Sequence, residues 1–184
     1  GGVFPADSGD IYIEGKKVAI HSIHKSQALG VAFIHQELAL IPLLSIGENM
    51  FLGNEIKNKS GSIDWDRTYS EAEKHMAQVG LHESAQTLIK DIGTGKQQLV
   101  EIAKALAKHA KLLILDEPTA VLTPQETDKL FRILKAMKKD GKAIIIITHK
   151  MNEVLSVSDR VTILRKGEYI ATVNTVEADK QSLT

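Results

Sequence analysis

Two acids stand side by side, Asp116 and Glu117, after the apolar run Leu112-Leu-Ile-Leu115 and before Pro118-Thr119. A continuous apolar run of this length reads as a buried strand of a parallel sheet. In open α/β sheets, ligands gather at the carboxyl ends of such strands. Neighbouring strand positions point in different directions, so the two carboxylates can play different roles. One can hold Mg²⁺, directly or through water, because that ion takes oxygen ligands. The other can orient or deprotonate a water that attacks a phosphate. Two more residues follow predicted strands. His149 comes after Ala143–Ile147 and Thr148, and an imidazole there can hydrogen-bond a γ-phosphate or the attacking water. Gln36 comes directly after Val31–His35, and its amide oxygen can ligate Mg²⁺ or position a water. Taken singly, Asp-Glu-Pro-Thr is a polar turn, His149 a structural histidine and Gln36 an ordinary surface amide. Their shared position at strand ends points to phosphoryl chemistry.

A further stretch, Asp91-Ile-Gly-Thr-Gly-Lys-Gln-Gln98, looks at a glance like a phosphate-binding loop. It lacks the first glycine of G-x-x-x-x-G-K-[ST], and Gln97 stands where Ser or Thr would hold magnesium. It also precedes an amphipathic helix without following an apolar strand. Gly93, Thr94, Gly95 and Lys96 therefore do not read as the main phosphate cradle.

The elements that must position these residues alternate. Asp10–Glu14 and Lys17–Ile20 suggest a hairpin turning at Gly15. Val31–Ile34 is a strand. Ser45 and Glu48 have capping-box spacing ahead of a helix over Ile46–Leu52. Asp64 caps a helix running to about Val79, stopped by Gly80. Leu99, Ile102, Ala103 and Leu106 recur at helical spacing, so one stripe faces a core. Lys111–Asp116 and Ala143–Ile147 are expected as buried strands. Between them Thr123 and Glu126 open a helix that buries Leu130, Ile133, Leu134 and Met137. A short helix, Met151–Val157, leads to a hairpin of Val161–Arg165 and Tyr169–Val173. Strand, helix, strand, helix and a hairpin imply an α/β core with a parallel sheet and an antiparallel part.

Composition bounds the function. The 184 residues carry 23 Lys plus Arg against 23 Asp plus Glu, so no basic excess exists to hold nucleic acid. No cysteine is present, which excludes disulfides and thiolate zinc sites. The longest apolar runs are too short to cross a bilayer. Gly1–Pro5 lacks the basic start and apolar core of a signal peptide, and the missing initiator Met suggests a fragment.

In this order, the residues resemble the nucleotide-binding domain of an ABC transporter ATPase over nearly the whole chain. Gln36 in "FIHQE" is similar to the Q-loop. "IGTGK" followed by "QQLVEIAKAL" is similar to the signature and its helix, "LLILDEP" to the Walker B strand, and Thr148-His149 to the switch histidine. "HQELALIPLLSIGENMFLG" and "GKQQLVEIAKAL" resemble the first nucleotide domain of bacterial ribose/galactose/xylose-type importers. The resemblance implies a P-loop NTPase fold with an inserted helical subdomain over residues 43–90, between core parts 1–42 and 91–184, all one incomplete nucleotide-binding domain. It implies ATP and Mg²⁺, with Asp116 as magnesium acid, Glu117 as catalytic base, and Gln36 serving metal and catalysis. Gly93 to Lys96 would act on a nucleotide held by a second nucleotide-binding domain. Membrane permease subunits, a periplasmic sugar-binding protein acting indirectly, a peripheral place at the cytoplasmic membrane face and no nucleic-acid partner are implied as well.

Three departures are visible. Gly93 stands where the family's signature has serine. Thr123 stands where an aspartate is usual. No G-x-x-x-x-G-K-[ST] occurs, so that loop is expected upstream of Gly1, and the chain alone is expected to bind little ATP. A non-hydrolysing regulatory domain of the same family is the rival reading. A DNA-repair or chromosome ATPase would show coiled-coil heptads or a basic surface, and neither is seen.

Overall fold

The computed structural model describes residues 2–176, in two units, Gly1–Ile146 and Ile147–Thr184. In the first unit, β1 (Ile11–Ile13) and β2 (Lys16–Val18) form an antiparallel hairpin. Its turn, Glu14-Gly15, holds φ of 50° and 74°. Positive φ at both central residues marks a type I′ turn, whose twist matches that of the flanking strands. A six-residue helix follows, α1 (Ile23–Ala28), started by Ser22, whose hydroxyl accepts from the Lys25 N–H at 3.1 Å. Sequence pattern does not reveal α1, since six residues carry less than two turns of a period.

The sheet of this unit has the order β3-β4-β5, with β3 (Val31–Ile34), β4 (Leu112–Asp116) and β5 (Ala143–Ile147). β3 and β4 run parallel, Val31 opposite Leu112 and Ile34 opposite Leu115. Ile34, Leu113 and Leu115 are fully buried there. The expectation of a buried β5 is corrected: Ile145 and Ile147 are 48% and 47% exposed. β5 stands at one end of the sheet order, so it is flanked on one side only.

Helices carry the rest of the core. α2 (Ile46–Phe51) opens on a capping box: the Ser45 N–H donates to Glu48 at 2.7 Å, and the Glu48 N–H donates to the Ser45 hydroxyl at 3.2 Å. α3 (Trp65–Gln78) starts at Asp64, which accepts from the Arg67 N–H. It buries Thr68, Ala72 and Met76, while Trp65 stays 43% exposed and stacks on Tyr69 at 5.9 Å. α4 (Thr94–Ala107) departs from the single stripe expected. Residues 98–103 are all buried, together with Ala105, and Leu106 is only half-buried. Its contacts explain this, because α2, α3 and β3 all pack against it. α5 (Pro124–Lys139) has the expected Thr123–Glu126 capping box and Pro at its start. It buries Phe131 beside Leu130, Leu134 and Met137, leaving Ile133 half-buried.

The second unit holds α6 (Met151–Val157) and the antiparallel pair β6 (Arg160–Arg165) and β7 (Glu168–Asn174). Lys166-Gly167 repeats the double positive φ, 51° and 83°.

Buried Asn49 fixes the approach to α2. Its side chain accepts from the Ile41 N–H at 2.7 Å and donates to the carbonyls of Ser45 at 2.9 Å and Ile41 at 3.1 Å. Removing it strands those groups in the interior. Asn49→Ala is expected to lower unfolding free energy by about 2–3 kcal/mol, read as a lower urea midpoint at unchanged slope.

Candidate functional site

Parallel register decides which residues meet. With Ile34 opposite Leu115, the chain leaves β3 and β4 at one level. His35-Gln36 and Asp116-Glu117 therefore leave the sheet at the same edge. Asp116 closes β4 half-buried, Glu117 is half-buried, and Gln36 is exposed. Glu117 adopts φ of +44°. A non-glycine residue in the left-handed region carries a cost of about 1–2 kcal/mol, and such conformations concentrate at functional sites. Here it turns the chain out of the strand axis immediately after Asp116. The Glu117 carbonyl then accepts from the Ala120 N–H at 3.1 Å, and Thr119 is buried beneath that turn.

His149 belongs to the second unit, exposed, just before α6. The neighbouring Thr148 hydroxyl accepts from the Lys150 N–H at 3.1 Å.

Gly93 to Lys96 do not form a free loop. Gly93 is the N-cap of α4, and Thr94, Gly95 and Lys96 make its first turn. No side chain caps this helix start. Gln97, compared above with a magnesium-binding position, instead ties the helix to the segment before it. Its amide donates to the carbonyls of Ile92 at 3.0 Å and Ile89 at 3.2 Å.

Two carboxylates, Glu83 and Glu126, hold this turn. Lys96 pairs with Glu83, and that hydrogen bond holds the Glu83 carboxyl below its ordinary value. A Cβ on Gly95 would collide with the carboxylate of Glu126. Glu126 meanwhile accepts from the Thr123 N–H at 2.9 Å and the Thr123 hydroxyl at 3.0 Å, and these bonds, led by the backbone one, lower its pKa. Lys129, one turn on, donates to the Gly80 carbonyl at 3.1 Å. The start of α5 is thus docked on the start of α4 and on the end of α3. Only the Thr-x-x-Glu spacing hinted at Glu126, and nothing local signals its contact with Gly95.

No cluster of three or more metal-binding side chains exists among the described residues. The edge shared by β3 and β4 offers a carboxylate and an amide oxygen. That donor set suits Mg²⁺, which takes one or two protein oxygens and leaves its other positions to water and phosphate.

A parallel sheet with acids at its carboxyl edge and an uncapped helix start nearby in the chain is the architecture of a nucleotide-handling α/β domain. The model of the ABC transporter family matches residues 2–120, and the chain belongs to that family. Its fold is that of the ABC ATPases. A solved ATP-binding cassette of an ABC transporter, in its ADP conformation, superposes with a TM-score of 0.80 at 23% identity, covering 94% of this chain and 72% of that one. The structure of cbiO1 from Clostridium perfringens, part of the ABC transporter complex cbiONQ, gives 0.79 at 25% identity, covering 96% and 70%. In sequence, the L-arabinose transport ATP-binding protein AraG of Geobacillus stearothermophilus is 51% identical over 94% of this chain and 34% of its own length. The xylose import ATP-binding protein XylG of Moorella thermoacetica is 47% identical over 99% and 36%. The ribose import ATP-binding protein RbsA of Caldanaerobacter subterraneus is 41% identical over 99% and 37%. The chain thus spans about a third of the length of these curated relatives.

Two predictions test the docking of the α4 start. Gly95→Ala is expected to displace Glu126 and cost about 1 kcal/mol, seen as a lower melting temperature. In a Glu126→Ala background the same change should cost far less. The Glu83–Lys96 pair sets a pH dependence. A carboxyl lowered in the folded state stabilises the fold above its unfolded value, near 4.5, and that contribution is lost as pH falls through the lower folded value. Lys96→Met should flatten the stability curve below about pH 4.5, measured by urea titration at stepped pH.

Proposed function

We propose that this chain is part of the ATP-binding and ATP-hydrolysing subunit of an ABC importer for a monosaccharide. The observation that supports this reading is the parallel register of Ile34 opposite Leu115, after which the segments holding Gln36 and Asp116-Glu117 leave the sheet at one edge. Asp116 and Gln36 would hold Mg²⁺, which supplies charge neutralisation on the β- and γ-phosphates when bound. Glu117 takes the role of general base: its carboxylate, turned out of the strand by its left-handed backbone, accepts the proton of the water that attacks the γ-phosphorus. Gln36 orients that water. His149, carried by the second unit, is assigned the switch role by its Thr-His motif and by resemblance. The Thr94, Gly95 and Lys96 turn would meet phosphate oxygens of ATP held by a second nucleotide-binding domain, through N–H groups and the lysine. Membrane permease subunits on the cytoplasmic side would receive the motion, with residues 43–90 as docking surface. A periplasmic sugar-binding protein would deliver the sugar. The sugar transport and import names of the relatives support the sugar-import part of this reading.

One observation favours the rival reading of a regulatory, non-hydrolysing domain: Gly93 offers no hydroxyl to a γ-phosphate. Glu117→Gln in the full-length protein separates the two. Hydrolysis is expected to fall by about 10²–10⁴-fold with ATP affinity retained, read by phosphate release and by nucleotide titration. Undiminished turnover removes Glu117 from the base role. Full-length wild type that binds ATP without turning it over establishes the regulatory reading.

A further inference from the structure

α1, β3 and α4 line an open cavity of about 270 Å³ that runs along β3 as far as His35. Its polar lining is Ser26, Gln27 and His35 on one side and Glu101 and Lys104 of α4, with Lys108 at the C-cap of that helix, on the other. Glu101 and Lys104, three apart, share one face of the helix, and Lys108 follows four residues on at its C-cap. Glu101 is buried, and its Oε1 has no hydrogen-bond partner in the structure. Lys104 stands 3.7 Å from that oxygen, close enough to attract it and too far for a hydrogen bond. Burial lowers the Lys108 pKa, and like-charge repulsion from Lys104 lowers it further. The second wall, β3, lies at the end of the sheet order, so part of its backbone faces away from β4.

A buried carboxylate lacking a donor and two crowded ammonium groups ask for complementary halves of one ligand. Two neighbouring ammonium groups suit a phosphate, whose several oxygens can accept charge-assisted hydrogen bonds from both. The idle Glu101 oxygen accepts from hydroxyl groups, and Ser26 and Gln27 supply further polar contacts. A volume of this size admits a five- or six-carbon body with one phosphate, at the small end of ligand sites. From the cavity, we propose that α1, β3 and α4 form a binding site for a phosphorylated monosaccharide, with Lys104 and Lys108 on the phosphate and Glu101 on the sugar hydroxyls. Gln36, Asp116, Glu117 and the first turn of α4 do not line this cavity, so the ligand proposed here is distinct from the nucleotide of the ATPase reading.

Isothermal titration of the full-length protein tests this, with saturating ADP present to occupy any nucleotide site. Ribose 5-phosphate is expected to bind at least about tenfold tighter than ribose or inorganic phosphate. Lys104→Ala and Lys108→Ala should each weaken it about tenfold. Glu101→Gln should shrink the preference over inorganic phosphate. Lys108→Arg, which keeps the charge, should retain most of the affinity at unchanged melting temperature and so separates lost recognition from lost folding. Absence of ribose 5-phosphate binding overturns the proposal. Equal affinity for inorganic phosphate does so too, as does binding that survives both alanine changes.

Discussion

Everything the site can do rests on one pairing, β3 against β4 in parallel with Ile34 opposite Leu115. Parallel strands cannot be joined by a tight turn. The connection between these two runs from residue 35 to residue 111 and includes α2, α3 and α4. The same pairing makes the segments that hold Gln36 and Asp116-Glu117, far apart in the chain, leave the sheet at one edge. A slip of one residue would turn Leu113 and Leu115 out of the interior, and both are fully buried. Hydrophobic burial therefore enforces the register that chemistry needs. The left-handed backbone of Glu117 is held in place by the same anchoring, with buried Pro118 and Thr119 following it.

A second constraint gathers at the first turn of α4. Glu83 holds Lys96, Glu126 packs against Gly95, and Gln97 ties the helix back to Ile89 and Ile92. Each tether comes from a different element. The loop running from Glu117 into α5 is consequently linked to the α4 start through Glu126, so a shift of one is felt by the other. Glycine at 95 is required by space, since its φ is ordinary and the obstacle is a carboxylate.

Much of this was legible in the sequence where local rules act alone. The capping boxes at Ser45 and Thr123, the cap at Asp64 and the Lys166-Gly167 hairpin follow from side-chain hydrogen bonds and positive φ within a few residues. Asp116, Glu117 and Gln36 were visible because strand ends are easily recognised after apolar runs. What escaped depends on packing between distant segments. The all-round burial of α4 needs α2, α3 and β3 around it. The exposure of Ile145 and Ile147 follows from strand order, which no run of isoleucines encodes. The Glu126–Gly95 contact joins two motifs that each look complete by themselves.

Charge balance sharpens what the site must supply. Twenty-three cations face twenty-three acids, so no overall field draws a nucleotide in. Attraction for phosphate has to be local. Lys96 is already engaged by Glu83, and a phosphate arriving there under the proposed function would compete with that carboxylate for the same ammonium. The N–H groups of an uncapped helix start carry partial positive charge without a counterion to displace. At the α4 start the backbone is therefore the ready donor and Lys96 the conditional one. A neutral Gly93 fits this division, since a residue without a side chain leaves the approach to those N–H groups open.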